Sequence, residues 1–331
     1  MVLGTYPLGI SALNPDWPEA HFNVSGAFTL HALILRLFEL VDEGFGCRLP
    51  IDAMHGAPSM PWNAGRLSKV PYNPAQFRSL LTALRSKGIG YFATFTNHLI
   101  DDTDLANPIG NSILEIIAER PDINGVIVSS DRLSKYIARK YPALRQVASI
   151  IKTTMEHGEG RADYYRELGQ QFHQYAVHPD DCRDPKLLDQ LDRQKAVIIV
   201  NENCTSHCPN RIRHYDNTAR LQRASCRENM VVLNTLSPTS ERQLILQELR
   251  QIMSTCKAPL DQAGLGSRRR SCNLTNTEMR TAYDMGFRHF KLQGRGGYAY
   301  NYIYDITRFT LEPDFAAPMI CKTMCSMLPT A

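Results

Sequence analysis

Short apolar runs alternate with amphipathic segments along most of the chain. An apolar run at residues 22–27 is followed by apolar positions at helical spacing over residues 30–40, and the pairing then repeats. The apolar runs predict strands at residues 22–27, 47–53, 89–96, 125–130, 146–151, 174–177, 196–200 and 287–292. The helical patterns predict helices at residues 30–40, 74–86, 110–119, 132–140, 162–172, 185–193, 241–253 and 300–309.

The number of strand–helix units indicates the fold. Strands that alternate with helices are typical of a parallel sheet, and eight units in about 290 residues match a (β/α)8 barrel of the TIM type. A doubly wound open sheet is the alternative, although no Gly-x-Gly-x-x-Gly follows the first strand. We therefore expect a single barrel domain over residues 1–331, with a long connection at residues 203–285 between strands seven and eight.

The composition is that of a folded protein. The chain has 331 residues, of which 43% are hydrophobic and 21% are charged. Its net charge of +4 is too small to indicate binding to nucleic acid through phosphate contacts. We find no secretory signal and no apolar run of about 20 residues that would span a membrane. We expect a cytoplasmic protein with reduced thiols, in which clustered cysteines bind a metal or take part in catalysis.

Polar side chains follow the predicted strands, where a (β/α)8 barrel carries its active site. The set comprises Asp52, His55, Trp62, Asn63, Arg66, Asn97, His98, Asp131, Lys152, His178, Asp180, Asn201, Glu202, Gln293 and Arg295. Within it, the indole of Trp62, the amide of Asn63 and the guanidinium of Arg66 suit a flat ligand that is anionic or carries a carbonyl. We predict these three residues and Asn97 as substrate-binding residues; the alternative is that Trp62 plugs the mouth of the barrel.

The long connection holds five of the nine cysteines. Cys204 and Cys208 form a Cys-x3-Cys pair directly after strand seven, and Cys226 and Cys272 follow. Thiolates that converge from one loop bind zinc or an iron–sulfur cluster, and a zinc site would use His214 with three thiols. The Cys-x3-Cys-x2-Cys pattern of radical-SAM enzymes is excluded, because Arg211 occupies its third position.

The other cysteines have a simpler interpretation. Cys47, Cys182 and Cys256 are expected to be small buried hydrophobes. Cys321 and Cys325 form a second Cys-x3-Cys pair in a Met-rich, apolar tail, and we expect them to pack on a helix.

The segment at residues 276–295 resembles the signature of the collagenase-like peptidase family, which is peptidase family thirty-two of unknown catalytic type. That family ends its barrel with a helix, a glycine and Phe-Lys-Ile-Glu-Gly-Arg, and this chain has Phe-Lys-Leu-Gln-Gly-Arg at residues 290–295. Cys272 approximates a family cysteine before the helix, and Cys204, Cys208 and Cys226 lie where the family has its other cluster cysteines. The similarity covers residues 197–295 and describes a divergent member, with Gln293 in place of the glutamate.

The resemblance implies a [4Fe–4S] enzyme, because better-understood relatives carry such a cluster and serve oxygen-independent hydroxylation. Cys204, Cys208, Cys226 and Cys272 would hold the cluster, with zinc as the alternative metal. A small or aromatic substrate would be held by Arg66, Lys291 and Arg295. His214, Asn201 and Glu202 would orient it or relay protons.

Two other functions stay open at this point. One is a metal-dependent or metal-free hydrolase, as the family's peptidase name suggests, although no Gly-x-Ser-x-Gly or His-Glu-x-x-His occurs. The other is a non-catalytic iron–sulfur subunit, since related family members act in pairs. The partners to expect are a small-molecule substrate and either a related protein or an electron donor.

Overall fold

Eight parallel strands close into a barrel in the computed structural model, which describes residues 12–64, 70–156, 161–227, 241–257, 271–294 and 299–326. The strands are β1 (His21–Ser25), β2 (Ile51–Gly56), β3 (Gly90–Phe95), β4 (Gly125–Val128), β5 (Arg145–Ala148), β6 (Gln174–Ala176), β7 (Ala196–Ile199), β8 (Asn201–Thr205), β9 (Ser271–Asn273) and β10 (His289–Leu292). The order around the barrel is β1-β10-β7-β6-β5-β4-β3-β2, and β8 and β9 form a separate antiparallel ribbon. Because β1 pairs with both β10 and β2, the sheet is closed, which confirms the (β/α)8 prediction and excludes an open sheet.

Helices follow the strands and cover the outside of the barrel. They are α1 (His31–Phe45), α2 (Pro74–Ser86), α3 (Pro108–Ile117), α4 (Asp131–Lys140), α5 (Ile150–Met155), α6 (Arg161–Gln171), α7 (Pro185–Leu188), α8 (Arg211–Arg227), α9 (Glu241–Lys257), α10 (Asn276–Asp284), α11 (Ala299–Thr310) and α12 (Pro313–Cys325). The predicted bounds of α2 are confirmed. Asn73 starts this helix because its side-chain oxygen accepts hydrogen bonds from the backbone N–H groups of Ala75 and Gln76. Pro74, which directly follows Asn73, has no backbone N–H that would need an acceptor.

Several predicted elements are shorter in the structure, and the strand predicted at residues 47–53 lies at Ile51–Gly56. Two elements end early for local reasons. The strand predicted at residues 146–151 ends at Ala148, because the hydroxyl of Ser149 accepts from the N–H groups of Ile151 and Lys152 and so starts α5. The helix predicted at residues 185–193 ends at Leu188. Beyond it, Gln190 and Leu191 donate to carbonyls three residues back, which is the hydrogen bonding of a tight turn.

Alternate residues of each strand face the two sides of the barrel wall. Phe290 and Leu292 of β10 belong to the large core between the barrel and its helices. A second apolar cluster inside the barrel consists of Ala53, Phe92, Ile127 and Val147. Because side chains alternate along a strand, Lys291 faces the interior.

Helix α8 lies across the mouth of the barrel, by which we mean the carboxyl ends of its strands and the loops after them. Arg211, at its start, contacts Asp180 in the loop after β6. Gln222, near its end, donates to Ser59 in the loop after β2. Since β2 and β6 are four places apart in a ring of eight strands, α8 spans the mouth from side to side. Among the described residues, no helix is long and apolar enough to cross a membrane.

Trp62 is fully buried in the loop after β2. Its indole N–H donates to the carbonyl of Asp104 at 2.7 Å, and its ring meets Phe95 edge-on with centroids 5.0 Å apart. The face of the ring lies against Gly110 of α3, where no Cβ would fit. Trp62 therefore packs between the loop after β2 and α3, and its role in binding a substrate stays a prediction.

The contact between Gly110 and Trp62 predicts the effect of adding one methyl group. Gly110→Ala should lower the free energy of unfolding by roughly 1–3 kcal/mol, because the new Cβ would overlap the indole ring. Gly44→Ala in α1 is the matched control, since the space around Gly44 is open and alanine raises helix stability by up to about 1 kcal/mol. Urea unfolding of both variants measures the two effects. Equal free energies of unfolding for the two variants would contradict the close contact between Gly110 and Trp62.

Candidate functional site

Three cysteines lie together where the ribbon of β8 and β9 meets the start of α8. Cys204 is on β8 and Cys272 on β9, and the two strands are paired in antiparallel register. Arg211 donates to the sulfur of Cys272 at 3.3 Å and also hydrogen-bonds the thiol of Cys204. The backbone N–H of Arg211 donates to the carbonyl of Cys208, whose thiol acts electrostatically on Cys204. We call Cys204, Cys208 and Cys272 the thiol cluster.

The guanidinium of Arg211 is the centre of this site and is only 5% exposed. It donates to Asp180 Oδ2 at 2.8 Å, to His178 Nε2 at 2.8 Å and to the carbonyl of Thr205 at 2.8 Å. Because an arginine can only donate, His178 accepts at Nε2. One buried cation thus joins the loop after β6, the ribbon and α8.

Asp180 is held as a carboxylate by the same arrangement. Its Oδ1 accepts from the hydroxyl of Ser206 and from the backbone N–H of His207, which adopts a left-handed conformation with φ of 51°. Burial alone would raise the pKa of Asp180, but these hydrogen bonds and the charge of Arg211 lower it to about 2. The Cys-x3-Cys loop is therefore fastened to the barrel at Asp180.

Burial keeps the thiols of Cys204 and Cys272 protonated. Burial raises the pKa of Cys272 to about 12, and the charge of Arg211 offsets this only in part. Burial also raises the pKa of Cys204. A nucleophilic cysteine needs the opposite shift, and the imidazole of His178 is bonded to Arg211 rather than to a thiol. The geometry does not support a cysteine–histidine hydrolase here.

Cys226 lies away from the thiol cluster. It is fifteen residues after Arg211 on the same helix, which separates the two by about 22 Å along the helix axis. Its sulfur accepts from Gln222, beside Ser59 at the other side of the mouth. The structure therefore does not bring the four predicted ligands together. Within the part of the chain that is described, no group of three metal-ligating side chains has the geometry to hold an ion.

The predicted catalytic residues Asn201 and Glu202 are fully buried and hydrogen-bonded. The amide of Asn201 donates to the carbonyl of Gln293 at 2.7 Å and to Asp305 at 3.0 Å. Glu202 accepts from the backbone N–H of Cys204 at 2.9 Å and from the Gln293 amide at 2.8 Å. Asn201 thus joins β8 to α11, and Glu202 links the thiol cluster to the end of β10. His214 lies in the first turn of α8, with its ring beside Tyr215.

The predicted substrate-binding residues are in different places. Asn97 is fully buried, and its side chain bonds Pro61, Ala219 and the backbone of Leu99, so it anchors α8 to the loop after β3. Asn63 is buried next to Trp62, and Lys291 faces the barrel interior. Arg66 and Arg295 lie outside the described residues.

The remaining cysteines divide differently from the prediction. Cys182 is buried in the core and Cys47 is partly buried against it, as expected for small hydrophobes. The prediction that Cys321 and Cys325 are packed is wrong, because both are exposed on the last turns of α12. The side chain of Cys256 is outside the described part of the chain.

Sequence reasoning did not assign a role to Arg211, and placed His178 and Asp180 only in a general set of polar residues. The one signal for them was position, because His178 and Asp180 follow β6 directly. Arg211 had no such signal. It follows the Cys-x3-Cys pair in a run of polar residues, where arginines are usually solvated.

The lowered pKa of Asp180 predicts a loss of stability in acid. A carboxylate with a pKa of about 2 when folded and about 3.9 when unfolded contributes about 2 kcal/mol at neutral pH, which is lost as the pH falls from about 5 to about 2. The stability difference between wild type and Asp180→Asn should therefore shrink by about 1 kcal/mol between pH 7 and pH 3. Urea unfolding across this range measures it. Asp163→Asn, at an exposed ion pair, should show no comparable change, and a parallel decline in all three proteins would contradict the assignment.

Comparison with solved structures supports the fold. The chain matches the U32 peptidase Mk0906 with a TM-score of 0.50 and 12% identity, over 84% of this chain and 94% of that one. An alpha-amylase from Lactobacillus plantarum matches with a TM-score of 0.32 and 14% identity, over 55% of this chain and 62% of the amylase. No protein-family model and no curated protein matches the sequence. The chain therefore shares a barrel fold with a member of the family that its residues 276–295 resemble.

Proposed function

We propose that the protein is an iron–sulfur enzyme whose cluster is held by three cysteines, Cys204, Cys208 and Cys272. The observation that supports this is that the thiols of Cys204 and Cys272 contact one buried cation, Arg211, at the mouth of the barrel, with the thiol of Cys208 close enough to act on Cys204. One buried and two partly buried thiols in this position suit a group that takes thiolates as ligands and supplies the positive charge itself. Binding would release the protons of the thiols and displace Arg211 from Cys272.

The site offers a [4Fe–4S] cluster the right type of donor but too few ligands, and among the described residues no three of them are arranged to hold an ion. Such a cluster takes four ligands, and the thiol cluster offers three. Cys226, the fourth ligand implied by the family resemblance, is about 22 Å away along α8. A three-cysteine site would leave one iron open, which supports an enzyme that uses the cluster on its substrate over a purely structural or electron-carrying role. Zinc is the alternative metal. It also binds thiolates, and catalytic zinc sites have three protein ligands and one open position.

The substrate side of the proposal rests on the barrel interior. Lys291 faces inward there, and Glu202 connects that region to the backbone of Cys204. We propose an oxidoreductase of the oxygen-independent hydroxylase type, acting on a small or aromatic substrate and served by an electron donor or a related subunit. The peptidase-like alternative has less support, because burial raises the pKa of the candidate nucleophiles Cys204 and Cys272.

The three-cysteine site predicts a pattern of iron loss. Cys204→Ala, Cys208→Ala and Cys272→Ala should each lower bound iron and sulfide several-fold after anaerobic purification, because each removes one of three protein ligands. Cys226→Ala is the matched control and should retain the iron content and visible absorbance of the wild type. Iron, sulfide and zinc analysis with ultraviolet–visible spectra measures this.

Three results would count against the proposal. A colourless wild-type protein with zinc and no iron would exclude the iron–sulfur cluster. Loss of iron in Cys226→Ala to the same extent as in the other variants would restore the four-cysteine set. Retention of iron in all four variants would place the metal elsewhere.

A further inference from the structure

We propose that Lys291 is a nucleophilic lysine that forms an imine with a small carbonyl compound bound inside the barrel. This goes beyond the proposed iron–sulfur function and does not depend on it, since no thiol takes part. The inference rests on the position of Lys291, on the polar space beside it, and on its ammonium having no counter-charge within contact distance among the residues that the structure describes.

Lys291 is placed as a group that acts inside the barrel. It lies on β10, with Asn23 of β1 and Ile199 of β7 as its register neighbours. Phe290 and Leu292 on either side of it face the helices, so its own side chain crosses the interior. It is only 7% exposed. Helix α8 covers the mouth above it.

The ammonium of Lys291 is not neutralised by a close partner. Across the described ranges, no hydrogen bond or ion pair reaches its Nζ. The titratable groups that face Lys291 are His55 on β2 and Glu202 on β8. His55 is bonded to Asn23, and Asp305 of α11 lies farther away, beyond Asn201. Burial lowers the pKa of Lys291 to about 8, and the more distant charge of Glu202 raises it only in part. Roughly a tenth of the side chain is then free amine at pH 7, against well under 1% for an ordinary lysine.

A second buried lysine shows what a structural lysine looks like in this fold. Lys152 is 3% exposed, and its ammonium lies 2.9 Å from Asp131 and 2.9 Å from Glu156. Two carboxylates therefore satisfy it, as expected for a buried cation. Lys291 has comparable burial without such partners. An unpaired buried amine with a lowered pKa is the arrangement that makes lysine a nucleophile toward carbonyl carbon.

The interior beside Lys291 has space and hydrogen-bonding groups. Asn23 and Thr94 face inward on β1 and β3 and are still partly exposed, so solvent-accessible space lies inside the wall. His55 Nδ1 lies 2.5 Å from Asn23 Oδ1, which orients both side chains in this region. Asn23 and Thr94 are uncharged hydrogen-bonding partners, and the apolar cluster of Ala53, Phe92, Ile127 and Val147 limits the remaining volume. A small, polar carbonyl compound matches both properties.

The reaction at Lys291 is balanced without a further reactant. The free amine attacks the carbonyl carbon, a carbon–nitrogen bond forms, and the carbonyl oxygen leaves as water after it receives two protons, both of which come from the nitrogen in the net reaction. Borohydride traps the product, because hydride adds to the imine carbon and the nitrogen takes a proton from water, which gives a stable secondary amine.

The test is trapping on the full-length protein with two probes. Pyruvate represents an anionic carbonyl compound and glycolaldehyde a neutral one, each added with sodium borohydride, and peptide mass mapping then locates the modified lysines. With at least one probe, Lys291 should be modified at least about tenfold more than Lys152 or the surface lysines at pH 7, with a half-maximal rate near pH 8. The more reactive probe identifies the charge class of the ligand. Lys291→Arg should abolish the selective modification, whereas Lys152→Arg should leave it unchanged.

Other outcomes would overturn the proposal. No modification of Lys291 by either probe, or equal modification of all lysines, would show that it is not a selective nucleophile. A probe that raises the melting temperature without becoming attached would show that Lys291 binds its ligand only as a cation. Since the comparison between Lys291 and Lys152 is made within the wild-type protein, it holds even if a variant fails to fold. Trapping that persists in Cys204→Ala after loss of iron would separate this role from the iron–sulfur function.

Discussion

The buried guanidinium of Arg211 determines how the long connection is attached to the barrel. Its donors reach Asp180 and His178 after β6, the carbonyl of Thr205 on β8 and the thiol of Cys272 on β9. An uncompensated charge in this position would destabilise the fold by several kcal/mol, so these groups have to stay together. Because Arg211 is also the first residue of α8, the same contacts fix where that helix begins and the direction in which it crosses the mouth.

The path of α8 has two consequences for chemistry at the mouth. It keeps the thiol cluster beside β6 and β7, and it carries Cys226 to the side of β2. It also covers the barrel interior, where Arg223 anchors its far end through Asp101 and Asp104. A ligand in the interior would be enclosed by a helix whose first end is held by a buried ion pair and whose far end is held by a partly buried one.

The barrel and helix α9 of the connection could be predicted from the sequence, whereas the ribbon and helix α8 could not. Strands such as Ala196–Ile199 are buried on both faces and appear as continuous apolar runs, which a sequence displays directly. The ribbon strands Asn201–Thr205 and Ser271–Asn273 are polar and carry no such run. Helix α8 was missed because its buried face includes Arg211, Asn217 and Gln222, which suit a polar rim rather than a hydrophobic core. Apolar periodicity cannot reveal a helix that packs in this way.

The sequence also foreshadowed only some residues of the candidate site. Position after a strand drew attention to Cys204 and Glu202, and the structure places Glu202 against the backbone of Cys204, since position after a strand is a property of the fold. It could not distinguish a ligand-facing side chain from one such as Asn97, whose amide is used up in anchoring α8. Cysteine counting selected Cys226, but a helix of seventeen residues separates it from the others.

Glu202 shows that the two chemical regions of the molecule are physically joined. Its carboxylate accepts from the N–H of Cys204 on one side and from Gln293 on the other, and its charge acts on Lys291. A change of charge at the thiols would therefore be felt at the amine through a buried carboxylate, where screening by water is weak. Asn201 holds Gln293 in place from the same ribbon, so the position of Glu202 depends on the pairing of β8 with β9. The ribbon that carries the cysteines thus also sets the electrostatic environment of the barrel interior.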